Sequence, residues 1–325
     1  MRAAGFAEYA LVVFGAFLVI GGVFLRGGIA GLTHRGLDRL RARLVPPEPP
    51  RRTSTAEVTI DPIAGKALEV SGVVKEFGGV RAVSEVSLTA APGKVTGLIG
   101  GNGSGKTTLL NIVSGFYRAD HGTVALDGRP IGDRAPHLVA RQGVARTFQT
   151  PMIPRSLTTL DVLATARYAS HYTGILSAVL RLPRYRRQRA LDREKALNVL
   201  RVLGIEHLGR VPAESLPLGS RRMVEVARAL VAEPAVLLLD EPASGLDEGE
   251  VADLGRLVRR VADLGTTVLL VEHNFALICG VSDVVHVLES GRLIASGAPA
   301  EIQRHPDVVR SYLGEEAIEM EGRHA

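Results

Sequence analysis

Gly100-Gly101-Asn102-Gly103-Ser104-Gly105-Lys106-Thr107-Thr108 fits G-x-x-x-x-G-K-[ST] and stands between two segments of different period. Before it, Val95-Thr96-Gly97-Leu98-Ile99 is a short apolar run of the kind that forms a buried strand. After it, Thr108-Leu109-Leu110-Asn111-Ile112-Val113 spaces its apolar side chains as a helix does. That context separates a phosphate-binding loop from an ordinary Gly-rich turn with a surface lysine. Glycines lacking a Cβ let successive N–H groups turn inward and cup phosphate oxygens at a helix N-terminus, where the dipole favours negative charge. Lys106 then reaches the β- and γ-phosphates, and the Thr107 hydroxyl can ligate Mg²⁺. The expectation is a nucleoside-triphosphate site formed by the nine residues from Gly100 to Thr108.

A second element 134 residues beyond Lys106 strengthens it. Val236-Leu237-Leu238-Leu239-Asp240-Glu241 is an apolar strand ending in two carboxylates. At the C-terminal edge of a parallel sheet, that end faces the same crevice as the phosphate loop. Asp240 suits the magnesium shell, and Glu241 can polarise the attacking water. Acidic residues often begin loops, so the pair gains its meaning from the phosphate loop before it.

The chain has 325 residues and a net charge of +5. Residues 1–52 hold eight Lys/Arg against Glu8, Asp38 and Glu48, whereas the remainder is neutral. The basic balance therefore belongs to the N-terminal end and does not point to nucleic acid. A single cysteine, Cys279, cannot form an internal disulfide and fits a reducing compartment.

Tyr9 to Leu25 is a 17-residue uncharged run, at the short end of a membrane-spanning helix. A buried core helix would be unusual with no polar face, and a signal peptide would carry its charge before the apolar run. Here Arg26, Arg35, Arg39, Arg41 and Arg43 follow it, as a cytoplasmic flank does, placing the N-terminus outside. Residues 1–44 are thus expected as one transmembrane helix with its flank, and 45–66 as a Pro-rich, solvated linker. Residues 67–315 form an α/β domain with a helical portion at about 151–232, and 316–325 are a polar tail. Within the domain, Leu68–Val74 and Val83–Ala90 alternate as exposed strands around a turn at Phe77-Gly78-Gly79. Gly122–Leu126 and Val144–Phe148 read as strands, with Asp127-Gly128 a hairpin turn. Helical periodicity runs from Leu160 to Leu203, interrupted by Pro183, and again over Arg221–Ala232. Ala235–Leu239 and Thr267–Val271 are continuous apolar runs suited to a buried parallel sheet.

From Leu68 to Gly314 the chain resembles the ATP-binding cassette ATPases. The resemblance implies a P-loop NTPase core with a helical subdomain and an antiparallel β subdomain, ATP and Mg²⁺ as ligands, and these further roles. Arg146-Thr147-Phe148-Gln149 looks like the Q-loop, with Gln149 touching Mg²⁺ and water. Leu216-Pro217-Leu218-Gly219-Ser220 occupies the signature position, where Gly219 would meet the nucleotide of a partner ATPase subunit. Ser244-Gly245-Leu246-Asp247 is similar to the D-loop, Glu272-His273-Asn274 places His273 as the switch histidine, and Phe77 sits where an aromatic stacks on adenine. Taken singly, Phe77 is equally a core aromatic, Gln149 a polar loop residue and His273 a structural histidine. Their order and spacing together carry the resemblance.

Pro217 and Ser220 depart from the usual Leu-Ser-Gly-Gly-Gln, and proline offers neither hydroxyl nor N–H. Within the family the chain is most similar to the ATPases of branched-chain amino-acid importers, through Phe77-Gly78-Gly79, Arg146–Gln149, the irregular signature before Arg221-Arg222, Val271–Asn274 and Pro306–Gly314. Tyr9 to Leu32 looks like the last transmembrane helix of the matching permease, as in a permease–ATPase fusion or a fragment of one. Partners implied are a second ATPase subunit, homo- or heterodimeric, transmembrane permease subunits and, indirectly, an extracytoplasmic solute-binding protein. Rival readings are a urea, amide or lipid transporter, a soluble cassette ATPase, and a nucleotide-gated subunit that barely hydrolyses.

Overall fold

The computed structural model describes residues 60–147, 157–167 and 182–310, all within Val58–Ala325, one of the two units of the chain. The expected span at Tyr9–Leu25, its flank, Gln149 and the tail lie outside the described residues. Among the described residues, no helix is long and apolar enough to cross a membrane. Residues 60–66, expected as the end of a solvated linker, are instead tied down. The Ile63 N–H donates to the Leu264 carbonyl (2.7 Å), the Thr267 hydroxyl donates to the Lys66 carbonyl (2.7 Å), and Ile60 and Ile63 pack on the core.

Two sheets follow from two kinds of strand. Strands β1 (Leu68–Phe77) and β2 (Val80–Ala90) form a hairpin longer than its alternation predicts, and register shifts absorb the extra residues. Strand β3 (Val95–Ile99) belongs elsewhere, while β4 (His121–Leu126) pairs with β1 and turns through Asp127-Gly128 into β5 (Arg129–Pro130). Asp127 and Gly128 sit at φ 46° and 72°, the two positive values that a type I′ hairpin requires. The resulting antiparallel order is β2-β1-β4-β5.

The second sheet joins β3 to β6 (Val144–Arg146), β7 (Val236–Asp240), β8 (Thr267–Glu272), β9 (Val284–Glu289) and β10 (Arg292–Gly297), in the order β10-β9-β3-β8-β7-β6. Only β10 runs antiparallel to its neighbour. Strand β6 is shorter than the expected 144–148, ending at Arg146 with the Thr147 N–H still donating to Leu238 (3.0 Å). Period-two geometry sends alternate side chains to opposite faces, so each wholly apolar strand feeds two cores. Leu237, Leu239, Val268 and Leu270 enter one cluster, and Val236, Leu238, Leu269 and Val271 the other.

Helix α1 (Lys106–Val113) packs in the second cluster with β1 and β2, followed by α2 (Pro136–Arg141). The helical portion comprises α3 (Thr159–Ala166) and α4 (Pro183–Val202), then α5 (Leu218–Leu230), α6 (Glu248–Asp263) and α7 (Phe275–Val281) back along the sheet. Short helices α8 (Pro299–Ile302) and α9 (Pro306–Val308) close the described chain. Pro183 starts a helix rather than merely interrupting one, since a first-turn residue has no N–H partner to lose. The buried pair Arg167–Asp192 (3.0 Å) ties the end of α3 to α4, and Arg167 also reaches the Val231 carbonyl at the end of α5 (3.0 Å).

Glu225 on α5 makes this layer sensitive to pH. Its side chain is 10% exposed, and burial outweighs Arg222 (3.7 Å) and Arg228 to push its carboxyl up to about 7. The folded state therefore holds a proton that the unfolded chain has released, so stability falls as pH rises from the ordinary carboxylate range through about 7. Glu225→Gln should flatten that fall and add about 1–3 kcal/mol at pH 8. Urea melts at pH 5 and pH 8 measure it; an unchanged pH slope would remove Glu225 as its source.

Candidate nucleotide site

The loop from β3 to α1 is shaped by its backbone. Gly105 sits at φ +105°, and a Cβ there would drive into the Ala82 carbonyl oxygen of β2; one at Gly100 would meet Ser104 and the Leu288 carbonyl. Both sheets therefore press on the loop. Asn102, Gly103, Ser104, Gly105, Lys106, Thr107 and Thr108 line a pocket of about 280 Å³ together with Ala82 and Glu241. Gly100 and Gly101 lie behind it, their carbonyls accepting from Lys106 Nζ at 2.7 and 2.9 Å. Lys106 is 5% exposed, and Glu241, from the far end of β7, stands 3.9 Å from its ammonium. Burial lowers the pKa of Lys106, with the Glu241, Asp240 and Glu272 charges opposing the shift. A short cationic donor, a row of loop amides and a carboxylate thus share one pocket, an arrangement that can hold an anionic chain next to a base.

Asp240 is 3% exposed. Its Oδ2 accepts from Arg146 Nη2 (2.8 Å), whereas Oδ1 has no hydrogen-bond partner among the described residues. Arg146 Nη1 donates to Asn111 Oδ1 (2.7 Å) and Ser114 Oγ (2.9 Å) at the far end of α1. Arg146 is visible in sequence only as a neighbour of Gln149, and nothing local marks its contact with Asp240, 94 residues away.

Glu272 is a second residue that motif reading passes over. It is fully buried at the end of β8, accepting from the Ala243 N–H (2.6 Å) and the His273 N–H (3.2 Å). Burial raises its pKa against those bonds. It fastens the loop after Glu241 to the strand that presents His273, whose ring is 57% exposed with Nδ1 3.8 Å from Glu272. Glu241 itself has φ +47°, a strained value for a non-glycine residue.

The structure places the remaining candidates outside the pocket. Helix α5 begins at Leu218, three residues before the expected Arg221, so Pro217 is its N-cap and no side chain caps the end. Proline keeps extended geometry and leaves the first amides free of an intrahelical partner. Gly219 packs against Glu250, where a Cβ would clash with the carboxylate. Asp247 caps α6 in a reciprocal box with Glu250 (2.8 and 3.3 Å), so its carboxylate is engaged within the chain. Phe77 ends β1 with its ring edge-on to Tyr117 (centroids 5.3 Å apart).

The sequence profile described as ABC transporter matches residues 83–244, and that of the branched-chain amino acid ATP-binding cassette transporter matches 292–318. The chain is 39% identical over 250 residues to the high-affinity branched-chain amino acid transport ATP-binding protein LivG of Salmonella typhimurium, covering 76% of this chain and 98% of that one. The chain belongs to the ABC transporter ATPases. BraF of Pseudomonas aeruginosa, another high-affinity branched-chain amino acid transport ATP-binding protein, is 37% identical over 249 residues, with the same coverage of 76% and 98%. The ADP conformation of MJ1267, an ATP-binding cassette of an ABC transporter, superimposes with a TM-score of 0.67 at 31% identity, over 77% of this chain and 99% of that one. A nucleotide-free ATP-binding cassette gives 0.65 at 31%, over 76% and 98%. This ABC ATPase therefore has a P-loop NTPase fold and an ATP-binding role.

Proposed function

We propose that this ABC ATPase is the ATP-hydrolysing subunit of an importer for branched-chain amino acids. The observation that carries hydrolysis is Glu241 standing 3.9 Å from Lys106 inside the phosphate-loop pocket. The cargo reading is supported by LivG and BraF and by the match at residues 292–318. Loop amides from Gly100 to Thr108 and Lys106 hold the triphosphate; Glu241 accepts a proton from water, and His273 keeps water and γ-phosphate in line. The donor set suits magnesium, because Asp240 Oδ1 is a buried oxygen with no partner among the described residues and Thr107 offers a hydroxyl. Thr107, Asp240 and Gln149 would hold the ion, which neutralises charge on the β- and γ-phosphates. Phe77 stacks on adenine. Gly219 and Asp247 serve the site of a second ATPase subunit, where the amides opening α5 meet the γ-phosphate.

In this reading the domain spans 67–315 on the cytoplasmic side of the membrane, against permease subunits fed by a solute-binding protein. Residues 1–44 add one span, supported by the arginines that follow Leu25. A nucleotide-gated subunit with feeble hydrolysis is the second reading, favoured by Pro217 at the N-cap of α5. Reconstitution with the permease and binding protein in vesicles is the test. ATP-driven leucine uptake with phosphate release is expected. Uptake of urea or an amide instead would overturn the cargo, and nucleotide binding without phosphate release would favour the second reading.

A further inference from the structure

Arg146 occupies a place that packing alone does not explain. Its guanidinium is 7% exposed and bridges two distant elements. Nη2 donates to Asp240 at the end of β7, and Nη1 to Asn111 and Ser114 on the helix that begins at the phosphate loop. The Ser114 hydroxyl donates its own proton to the Leu110 carbonyl (2.6 Å), which turns a lone pair toward Arg146. The guanidinium lies over the Phe116 ring, 5.9 Å from its centroid. These contacts hold both Nη groups of the fork, and the fork holds one oxygen of Asp240. The other oxygen, equally enclosed, has no hydrogen bond from the described residues. An unsatisfied buried carboxylate oxygen is costly, and folds retain one where a ligand completes it.

We propose that Arg146 is a positioning residue for ATP hydrolysis: it clamps Asp240 Oδ2 against α1 so that Oδ1 stays available to the magnesium of the bound nucleotide. This rests on the assignment of Asp240 to magnesium made above. Partners of metal-binding carboxylates orient the ligand and so set metal affinity without touching the metal. A lysine would keep the charge but not the fork, because one ammonium cannot span Asp240 and Asn111 as a planar guanidinium does.

The test uses the full-length protein and a fluorescent ATP analogue, titrated first in EDTA and then with magnesium at fixed analogue. Arg146→Met and Arg146→Lys should leave binding in EDTA within about twofold of wild type and weaken the apparent magnesium affinity by about tenfold or more. Asp240→Asn should weaken it at least as much, and the double variant Arg146→Met/Asp240→Asn should lose no more than Asp240→Asn alone. If Arg146→Met does not fold, the lysine variant decides, since it keeps the buried charge pair. Equal weakening with and without magnesium would mean a merely structural brace and overturn the proposal, as would a wild-type magnesium titration in both Arg146 variants. If Asp240→Asn itself leaves the magnesium dependence intact, the assignment of Asp240 falls and this proposal falls with it. A loss in the Arg146 variants that appears with magnesium and not in EDTA, together with a loss in Asp240→Asn, supports it.

Discussion

Glu241→Gln in the assembled transporter should bind MgATP as the wild type does and hydrolyse it about 10²–10⁴-fold more slowly, the range contributed by a positioned general base. Glutamine has nearly the same volume, so the pocket formed by Ala82, the loop from Asn102 to Thr108 and residue 241 keeps its shape. What is lost is a carboxylate that accepts a proton. Its position is over-determined. Its N–H donates to the Val271 carbonyl (2.9 Å), its backbone sits at φ +47°, and the Ala243 N–H two residues on is held by buried Glu272. A fold that maintains a strained carboxylate beside a buried ammonium gains nothing in stability from the strain, which is the expectation for a functional group. Phosphate release and analogue binding, measured on one preparation, give the answer. Hydrolysis within threefold of wild type would assign the proton transfer elsewhere. Loss of binding together with hydrolysis would make Glu241 part of the phosphate grip.

The parts of this site that sequence makes legible are those whose logic is local. The phosphate loop declares itself because strand, glycines, lysine and helix are consecutive, and Asp240-Glu241 because the apolar run before it is unbroken. Strand β9 is harder. His286 interrupts its apolar run, and its Nδ1 meets Ser296 Oγ (2.7 Å) on β10, a partner that the hairpin supplies. Helix α6 hides for another reason: Gly249 and Gly255 weaken its helical signal, while Gly255 packs closely on the side chains of Val281 and Leu277 of α7. Pro217, a poor helix residue that is tolerated as an N-cap, hides the start of α5 in the sequence. Arg146 and Glu272 are legible in no local pattern, since each acts on a residue brought near by strand order. Arg146 finds Asp240 because β6 lies beside β7, and Glu272 finds Ala243 because β8 lies on its other side.

Lys106→Met should separate the needs of the nucleotide from those of the fold. Hydrogen bonds from a charged donor contribute about 1.5–3 kcal/mol each, so removing the ammonium should weaken ATP binding by about a hundredfold. Stability should not follow. The ammonium is 5% exposed, and burial lowers its pKa even with Glu241 at 3.9 Å, so the folded protein disfavours the charge that it carries. Methionine fills the same space with an apolar stem, leaving the Gly100 and Gly101 carbonyls without their donor and Glu241 without its neighbouring cation, a loss set against the relief of burying the charge. The nucleotide-free variant should therefore melt at or above the wild-type temperature. Because the folded pKa lies below the unfolded one, the unfolded chain binds the extra proton in the interval between them, and wild-type stability rises with pH there. The methionine variant should lack that rise. A variant that keeps full affinity for ATP would remove Lys106 from the phosphate site. One that loses affinity and melting temperature together would show that the ammonium holds the empty loop in shape, and that the nucleotide inherits a structure rather than recruiting a charge.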